Sequence, residues 1–260
     1  MPQIFNDFLF NPPTFEELDR KLYDSKILEP MCIVDKNTPI KSKKEGSFLG
    51  IQDSHGSLPM IRCPSFFECA DTPPWMREML IEPLKQQLNF ECNIIKVQKY
   101  INGQSGITHH TDKGIDLVWN SPIYVYRINK DVTKTRCLCF QDKTSKQVTS
   151  FEMPHNSLLK IEFKENQHMV HFVPLLEQDA SSECISFVFR QSGTFRTQEG
   201  LIYGQGAKYA TYEERQQDST PSSYDRSSKE ILDMYRFENI TDLNETSPEL
   251  SFSKVREQTF

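Results

Sequence analysis

The chain has no long hydrophobic stretch, no basic leader and no paired cysteine motif. Nowhere in its 260 residues do eighteen apolar residues follow one another, so we expect no membrane-spanning helix. The first residues, MPQIFNDFLFNPPTF, lack the basic start and long apolar run of a secretory signal. The seven cysteines are scattered apart from Cys137 and Cys139, with no Cys-x-x-Cys pair, which argues against a zinc ribbon and a disulfide framework. We therefore expect an intracellular protein of the nucleus or cytoplasm.

The composition is that of a folded protein with an acidic C-terminal part. Hydrophobic residues make up 37% of the chain, enough to bury the core of one large domain or two small ones. Residues 211–260 carry 6 basic and 11 acidic side chains, whereas residues 1–210 carry 24 and 25. A nearly neutral body gives no sign of nucleic-acid binding, although it leaves room for a local basic patch.

Two helices are predicted before residue 92. Thr14 and Glu17 form a capping-box pattern at the start of the first helix, which has three apolar residues on one face: Phe15, Leu18 and Leu22. The second helix spans residues 73–88 and should be kinked by Pro83. Between these helices, residues 33–72 are expected to be rich in loops, with short strands at most and turns around residues 35–39, 41–44 and 54–57.

From residue 92 onward the pattern changes to short strands separated by polar turns. Segregated helices and strands indicate an α+β fold with an antiparallel sandwich or barrel. The predicted strands are 94–100, 123–128, 136–140, 157–163, 169–173 and 184–190. Beyond residue 205 the sequence becomes polar, and residues 228–237 are predicted to form a marginal helix that docks on the domain or binds a partner.

The residues His110-Thr-Asp112 are the strongest chemical signal in the sequence. Side chains at i and i+2 point the same way from an extended backbone, so a histidine and a carboxylate could hold two adjacent corners of a metal ion. His171, on a later predicted strand, is well placed as a third ligand. Two histidines and one carboxylate leave open positions suited to iron(II) oxygen chemistry. A lone His-x-Asp is usually a surface turn, and the rival histidines are His109, His155 and His168.

The stretch 92–113 resembles the AlkB-type iron(II)/2-oxoglutarate dioxygenases. Their pattern is an apolar strand, a tyrosine, a glycine turn and His-x-Asp, and the positions that match are Asn93, Tyr100, Gly103, Ile107, His110 and Asp112. Three later stretches also resemble the family, namely 153–161, 167–174 and 187–193. In order along the chain, the resemblance covers roughly residues 5–196.

This resemblance implies a double-stranded β-helix, or jelly roll, with N-terminal helices packed on one face. Residues 1–92 would form these helices and a substrate-recognition lid, residues 93–205 the catalytic core, and residues 206–260 an acidic, largely flexible tail. It also implies that iron(II) is held by His110, Asp112 and His171, with 2-oxoglutarate as cosubstrate and O2 as oxidant. A monomer is expected, with a possible protein partner at the tail.

The resemblance assigns the 2-oxoglutarate site with one position left open. Tyr100 would hydrogen-bond the cosubstrate, Gln98 stands where the family has asparagine, and Arg190 would pair with a carboxylate. The family has two arginines six residues apart. If the pair ends at Arg190, Cys184 occupies the first position, and Arg196 or Arg127 would have to supply the second cation; if the pair begins at Arg190, it ends at Arg196.

By resemblance, the reaction is oxidative dealkylation of N-alkylated nucleobases in DNA or RNA, which implies DNA repair or RNA demethylation. The base would have to be flipped or single-stranded. The substrate-contact candidates are Lys43, Phe48, Phe66 and Asp116. Two alternatives remain: a 2-oxoglutarate oxygenase that acts on a protein side chain or small molecule, and a non-catalytic binding module on the same fold.

Overall fold

The structure is a computed structural model that describes residues 1–35, 38–62, 69–176, 182–218, 233 and 236–240, with backbone alone for 31–35 and 38–43. Its helices are α1 (Phe15–Asp24), α2 (Pro74–Met76), α3 (Glu82–Leu88), α4 (Phe163–His168) and α5 (Tyr212–Gln217). A π-helical stretch (Arg77–Ile81) joins α2 to α3, and residues 236–240 are also helical. None of the helices described is long and apolar enough to cross a membrane.

Among the described residues, more of the regular secondary structure is in β-strands than in helices. They are β1 (Gln3–Phe5), β2 (Glu29–Asp35), β3 (Thr38–Gly50), β4 (Leu58–Pro59), β5 (Cys69–Asp71), β6 (Ile94–Tyr100), β7 (Ile107–His110), β8 (Ile123–Asn129), β9 (Arg136–Asp142), β10 (Val148–Met153), β11 (Ser157–Ile161), β12 (Met169–Val173), β13 (Cys184–Arg190), β14 (Thr194–Arg196) and β15 (Ile202–Gly204).

These strands form three sheets. The large sheet has the order β1-β11-β8-β13-β6-β3-β2, with β5 added alongside β3 as a parallel strand. The small sheet has the order β10-β9-β12-β7, and a third sheet has the order β15-β14-β4. The pairings are antiparallel apart from that of β3 with β5. Mostly antiparallel sheets with few helices are consistent with a jelly-roll-like fold.

Side-chain alternation divides the core into two clusters, one on each face of the large sheet. In β13, Phe187 and Phe189 belong to a cluster that includes Leu18 and Leu22 of α1. Val188, between them, belongs to the other cluster together with residues of the small sheet such as Leu138, Phe140 and Val173. Because successive strand residues face opposite sides, the large sheet contacts helices on one face and the small sheet on the other. The interior between the two sheets is where the site residues lie.

The helix starts predicted from the sequence are confirmed. The Thr14 hydroxyl accepts a hydrogen bond from the Glu17 backbone N–H at 3.1 Å, and the predicted apolar face of α1 is buried. The second helical region begins at Pro74 and ends at Leu88. Its π-helical stretch lies immediately before α3, which carries Pro83 near its start. Proline has no backbone N–H to donate, so an irregular hydrogen-bond ladder is expected there.

The expectation that residues 33–72 contain only short strands is wrong. Strand β3 is 13 residues long and pairs with both β2 and β6. The lysine-rich residues 41–44, interpreted as a turn, lie inside this strand. The strand was not predicted because these residues are polar. Strand β3 joins the sheet through backbone hydrogen bonds and has few apolar side chains.

The six strands predicted from residue 92 onward are confirmed within a few residues. The short strands β7, β10, β14 and β15 were not predicted. Strand β10 has an alternating, partly exposed pattern, Val148-Thr-Ser-Phe-Glu-Met, with little hydrophobic signal. It pairs with β9 along its whole length.

Candidate metal centre

His110 and His171 face each other across two paired strands. His110 ends β7 and His171 lies in the middle of β12, and the two are direct partners in the antiparallel register. Directly opposed residues have neighbouring side chains, and the centroids of these two imidazoles lie 4.3 Å apart. Strand pairing alone therefore brings together two residues that are 61 positions apart in the chain.

Asp112 completes a three-residue group. One nitrogen from each histidine and one Asp112 carboxylate oxygen all lie within 4.8 Å of one another. The Nε2 atom of His110 is 4.0 Å from Asp112 Oδ1. The other carboxylate oxygen, Oδ2, accepts hydrogen bonds from Arg190 Nε at 3.0 Å and from Nη2 at 2.6 Å. Arg190 thus holds one oxygen of Asp112, while the other faces the imidazoles.

The surroundings favour the protonation states that bind metal. Burial lowers the pKa of His171 to about 4 and that of His110 well below its ordinary value. Burial by itself would raise the pKa of Asp112, but the charge of Arg190, followed by the two histidines, lowers it well below the usual range. At neutral pH the group is therefore two neutral imidazoles and one carboxylate, as metal binding requires.

The hydrogen bonds of His110 fix which nitrogen can bind a metal. Its Nδ1 lies 2.9 Å from the backbone oxygen of Thr108. A carbonyl oxygen can only accept, so Nδ1 carries the hydrogen and the lone pair of Nε2 faces Asp112. In metal-binding histidines, the ring nitrogen that does not bind the metal commonly donates its hydrogen to a carbonyl or carboxylate oxygen, as Nδ1 does here.

Asn166 of α4 holds the backbone of Asp112 from the other side. Its side-chain oxygen accepts from the Asp112 N–H at 3.0 Å, and its amide nitrogen donates to the Asp112 carbonyl at 2.7 Å. Both partners are buried. These two hydrogen bonds fix the loop that follows β7. Nothing in the sequence pattern around Asn166 predicted them.

The rival histidines lie elsewhere. The ring of His109 stacks on Phe172 with centroids 3.9 Å apart, on the face opposite to His110 and His171. His155 Nδ1 is 3.0 Å from the backbone oxygen of Asn129, and His168 is the last residue of α4. The expected trio of His110, Asp112 and His171 is the group that the structure brings together within the described residues.

A buried group of cations surrounds Tyr100 on the large sheet; we call Lys44, Arg127 and Arg136 the cationic cluster. The guanidinium carbons of Arg127 and Arg136 lie 5.8 and 5.1 Å from the centre of the Tyr100 ring. Lys44 is the strand partner of Tyr100. All three cations are at least nine-tenths buried. Burial, then Lys96 and Arg136, lowers the pKa of Lys44 to about 7.

The two arginines of the cationic cluster are incompletely satisfied. Arg127 donates to the Arg136 carbonyl, and Arg136 donates to the carbonyls of Asn102, Ser105 and Pro174. The Nε atoms of both arginines are buried and have no hydrogen-bond partner among the described residues. Neither guanidinium is paired with a carboxylate within that part of the chain. Two adjacent buried cations with unmet donors are suited to binding an anion.

The interior face of β6 links the cationic cluster to the metal ligands. Lys96, Gln98 and Tyr100 alternate along the strand and share one face, and Gln98 is buried. The charge of Lys96 contributes, after burial, to the lowered pKa of both metal-site histidines. Its ammonium lies 5.7 Å from the centre of the Phe48 ring. Phe48 is thus a buried neighbour of this face.

Within the described part of the chain, the other residues predicted to bind cosubstrate or substrate do not join the metal ligands or the cationic cluster, apart from Arg190, which contacts Asp112. Arg196 is exposed on β14 of the third sheet, whereas Cys184 and Arg190 belong to β13. Asp116 is fully buried in an ion pair with Arg62, with a 2.6 Å contact between Nη2 and Oδ1. Phe66 and the side chain of Lys43 fall outside the described residues.

No family model matches this chain. No curated protein matches it either. Among solved structures, that of OsALKBH1, an AlkB homologue of rice, matches 73% of this chain and 97% of its own, with 10% sequence identity and a TM-score of 0.48.

Several functional candidates were not predicted. Lys44, Lys96, Arg136 and Asn166 approach the site from three different sheets or helices. The sequence interpretation placed Lys44 in a lysine-rich turn as a possible phosphate contact and Lys96 in a strand, and gave neither of them a place beside the metal ligands or the 2-oxoglutarate site. A lysine on the inward face of a predicted strand is the signal that could have identified Lys96.

Proposed function

We propose that the chain is an iron(II)/2-oxoglutarate-dependent dioxygenase. The observation that carries this proposal is the convergence of His110, Asp112 and His171 at the interior of two facing antiparallel sheets. Two neutral imidazoles and one carboxylate are the ligand set of many non-haem iron(II) oxygenases.

The donor chemistry fits iron(II), although the three ligands alone do not exclude zinc. Two histidines and a carboxylate also hold catalytic zinc in some hydrolases. The surroundings favour the oxygenase. An enzyme that hydrolyses with zinc has no need of a buried carboxylate-binding site, whereas the cationic cluster offers one beside Tyr100 of β6, on the strand face that also carries Lys96.

The cationic cluster fits the distal carboxylate of 2-oxoglutarate. Arg127 and Arg136 have unmet Nε donors, and Tyr100 lies against both guanidinium groups. A carboxylate bound here would accept charge-assisted hydrogen bonds and offset the repulsion between the cations. Cys184, the strand partner of Tyr100, occupies the position where the resemblance expects an arginine. We therefore assign the missing positive charge to Arg127 and Arg136.

Each residue then has a defined task. Bound iron(II) with 2-oxoglutarate supplies the oxidising chemistry, in which O2 and the 2-oxo acid yield succinate, carbon dioxide and an oxidised substrate. Arg190 holds Asp112 Oδ2, so that Oδ1 remains directed at the metal position. Asn166 fixes the backbone of Asp112, and burial keeps the imidazoles of His110 and His171 neutral. Positioning of this kind is the main contribution of a protein to cofactor chemistry.

The first experiment measures succinate release and cosubstrate selectivity. Wild-type protein with iron(II) should turn over 2-oxoglutarate, and His171→Ala should not.

The Arg127→Met variant should raise the KM for 2-oxoglutarate by about 10- to 100-fold, because charge-assisted hydrogen bonds contribute roughly 1.5–3 kcal/mol. Binding of 2-oxopentanoate, which lacks the distal carboxylate, should change little. Arg196→Met is the matched control, since Arg196 is exposed on β14. Turnover that persists in His171→Ala would reject the metal assignment.

For the substrate, we propose the N-alkyl group of a nucleobase. Support comes from the resemblance of residues 92–113 to the AlkB-type pattern, and from Lys96 and Phe48 on the interior face of the large sheet. Lysines suit phosphate oxygens, and a phenylalanine can stack on a base. We assign recognition of the base to residues 1–92 and catalysis to residues 93–205.

The substrate test uses oligonucleotides with defined N-methyl lesions, in matched DNA and RNA forms. Mass loss of one methylene unit together with formaldehyde release is the expected result. Binding should weaken steeply as salt rises, because phosphate contacts release counterions. Succinate release without demethylation of any oligonucleotide, and with binding insensitive to salt, would point instead to a protein or small-molecule substrate.

A further inference from the structure

A short segment of the acidic tail contacts the loop that carries Asp112. This tail segment comprises residues 236–240. The side-chain oxygen of Asn239 accepts hydrogen bonds from the Thr111 N–H at 2.8 Å and from Lys113 Nζ at 3.1 Å. These two donors belong to the residues immediately before and after Asp112. A single amide of the tail therefore binds both neighbours of a proposed metal ligand.

Glu238 extends the same contact. Its Oε2 accepts from the Gly114 N–H at 3.3 Å and lies 3.6 Å from Lys113 Nζ. Its backbone oxygen accepts from Lys143 Nζ at 2.6 Å. The two side chains of the ion pair are largely buried, at 14% exposure for Glu238 and 6% for Lys113. Buried charge-assisted hydrogen bonds hold the tail segment at one position on the loop.

The tail segment docks through its polar side chains. Phe237 and Ile240 of the same segment are 46% and 76% exposed, whereas Glu238 and Asn239 point into the loop. A segment that docked only to bury apolar surface would place its apolar residues inward. The two side chains therefore dock on the backbone N–H groups and the lysine of residues 111–114, and Lys143 adds a hydrogen bond to the Glu238 backbone oxygen.

We propose that Glu238 and Asn239 are positioning residues of the metal centre, which hold the Asp112 loop in the geometry that binds the ion. Asn166 fixes the backbone of Asp112 itself, and the tail segment fixes the residues on either side. The acidic tail is then part of the active centre, although it lies more than 120 residues further along the chain. This inference rests on the proposed function only in that His110, Asp112 and His171 must bind a divalent metal.

The test measures Mn(II) affinity of the full-length protein by electron paramagnetic resonance. Asn239→Ala and Glu238→Ala should weaken Mn(II) binding by about 10- to 100-fold, the usual effect of removing the groups that orient metal ligands. Asn239→Asp should restore most of the affinity, because a carboxylate accepts the same two hydrogen bonds. Ile240→Ser, which changes an exposed neighbour, is the matched control and should bind as the wild type does.

A second readout separates positioning from general stability. Urea unfolding with a chelator present gives the stability of the metal-free variants, and hydrogen exchange reports on the Thr111 amide. We expect faster exchange at Thr111 in Asn239→Ala, together with weaker Mn(II) binding under conditions where the protein stays folded. Mn(II) affinity within twofold of wild type in both alanine variants would overturn the proposal. Failure of the wild type itself to bind Mn(II) would instead overturn the metal site.

Discussion

The buried histidine pair should make stability depend on pH in a defined way. Burial lowers the pKa of His171 from 6.5 to about 4. Between these two pH values the His171 imidazole is protonated in the unfolded chain and neutral in the folded protein. The free energy of unfolding should therefore fall as pH falls from about 6.5 toward 4. One pKa unit corresponds to about 1.4 kcal/mol, which gives a loss of roughly 3 kcal/mol from this residue. His110, whose pKa is also lowered, adds in the same direction.

The assay is urea unfolding of metal-free protein at several pH values, with a chelator present throughout. His171→Gln is the comparison, because glutamine has no titrating group at this position. Between pH 6.5 and 4.5 the stability of the wild type should fall more steeply than that of the variant, and the difference in slope isolates His171. Parallel curves for the two proteins would refute the claim that His171 is held neutral by burial.

Three further predictions concern two buried ion pairs and one glycine. Arg190→Met leaves Asp112 as a buried, uncompensated charge, so metal-free stability should fall by about 3–5 kcal/mol in urea unfolding and recover in part when Mn(II) is added. Arg62→Met should lower the free energy of unfolding by a similar amount, because it leaves the buried Asp116 carboxylate without its cation. Mn(II) should restore none of that stability. Gly204→Ala should lower the melting temperature, because φ is +105° and an added Cβ would collide with the backbone oxygen of Gly193.

Much of the large sheet could be predicted because its central strands carry strong apolar patterns. β-branched and aromatic residues in β6, β8 and β13 indicate strands by composition alone. The grouping of His110 with Asp112 follows from local spacing. The contribution of His171 depends on strand register, which places it opposite His110 and which no local pattern determines.

What could not be predicted consists of contacts between distant segments. Strand β3 is polar and becomes a strand through its pairing with β6. The cationic cluster forms because Lys44, Arg127 and Arg136 come from three strands that converge on Tyr100. The sequence marks Asp116 as an acid near the metal ligands, but only the fold reveals its bidentate partner. The docking of Asn239 carries no sequence signal, since its single side-chain oxygen accepts from one backbone N–H, that of Thr111, and from Lys113 Nζ.

The most direct test of the account is X-ray absorption at the iron edge of protein loaded with iron(II) under anaerobic conditions. The account predicts one iron per chain with the scattering of two imidazoles, together with oxygen ligands. In His171→Ala the same measurement should lose one imidazole. A wild-type spectrum with one imidazole or none would contradict the claim that His110 and His171 bind a single ion together with Asp112.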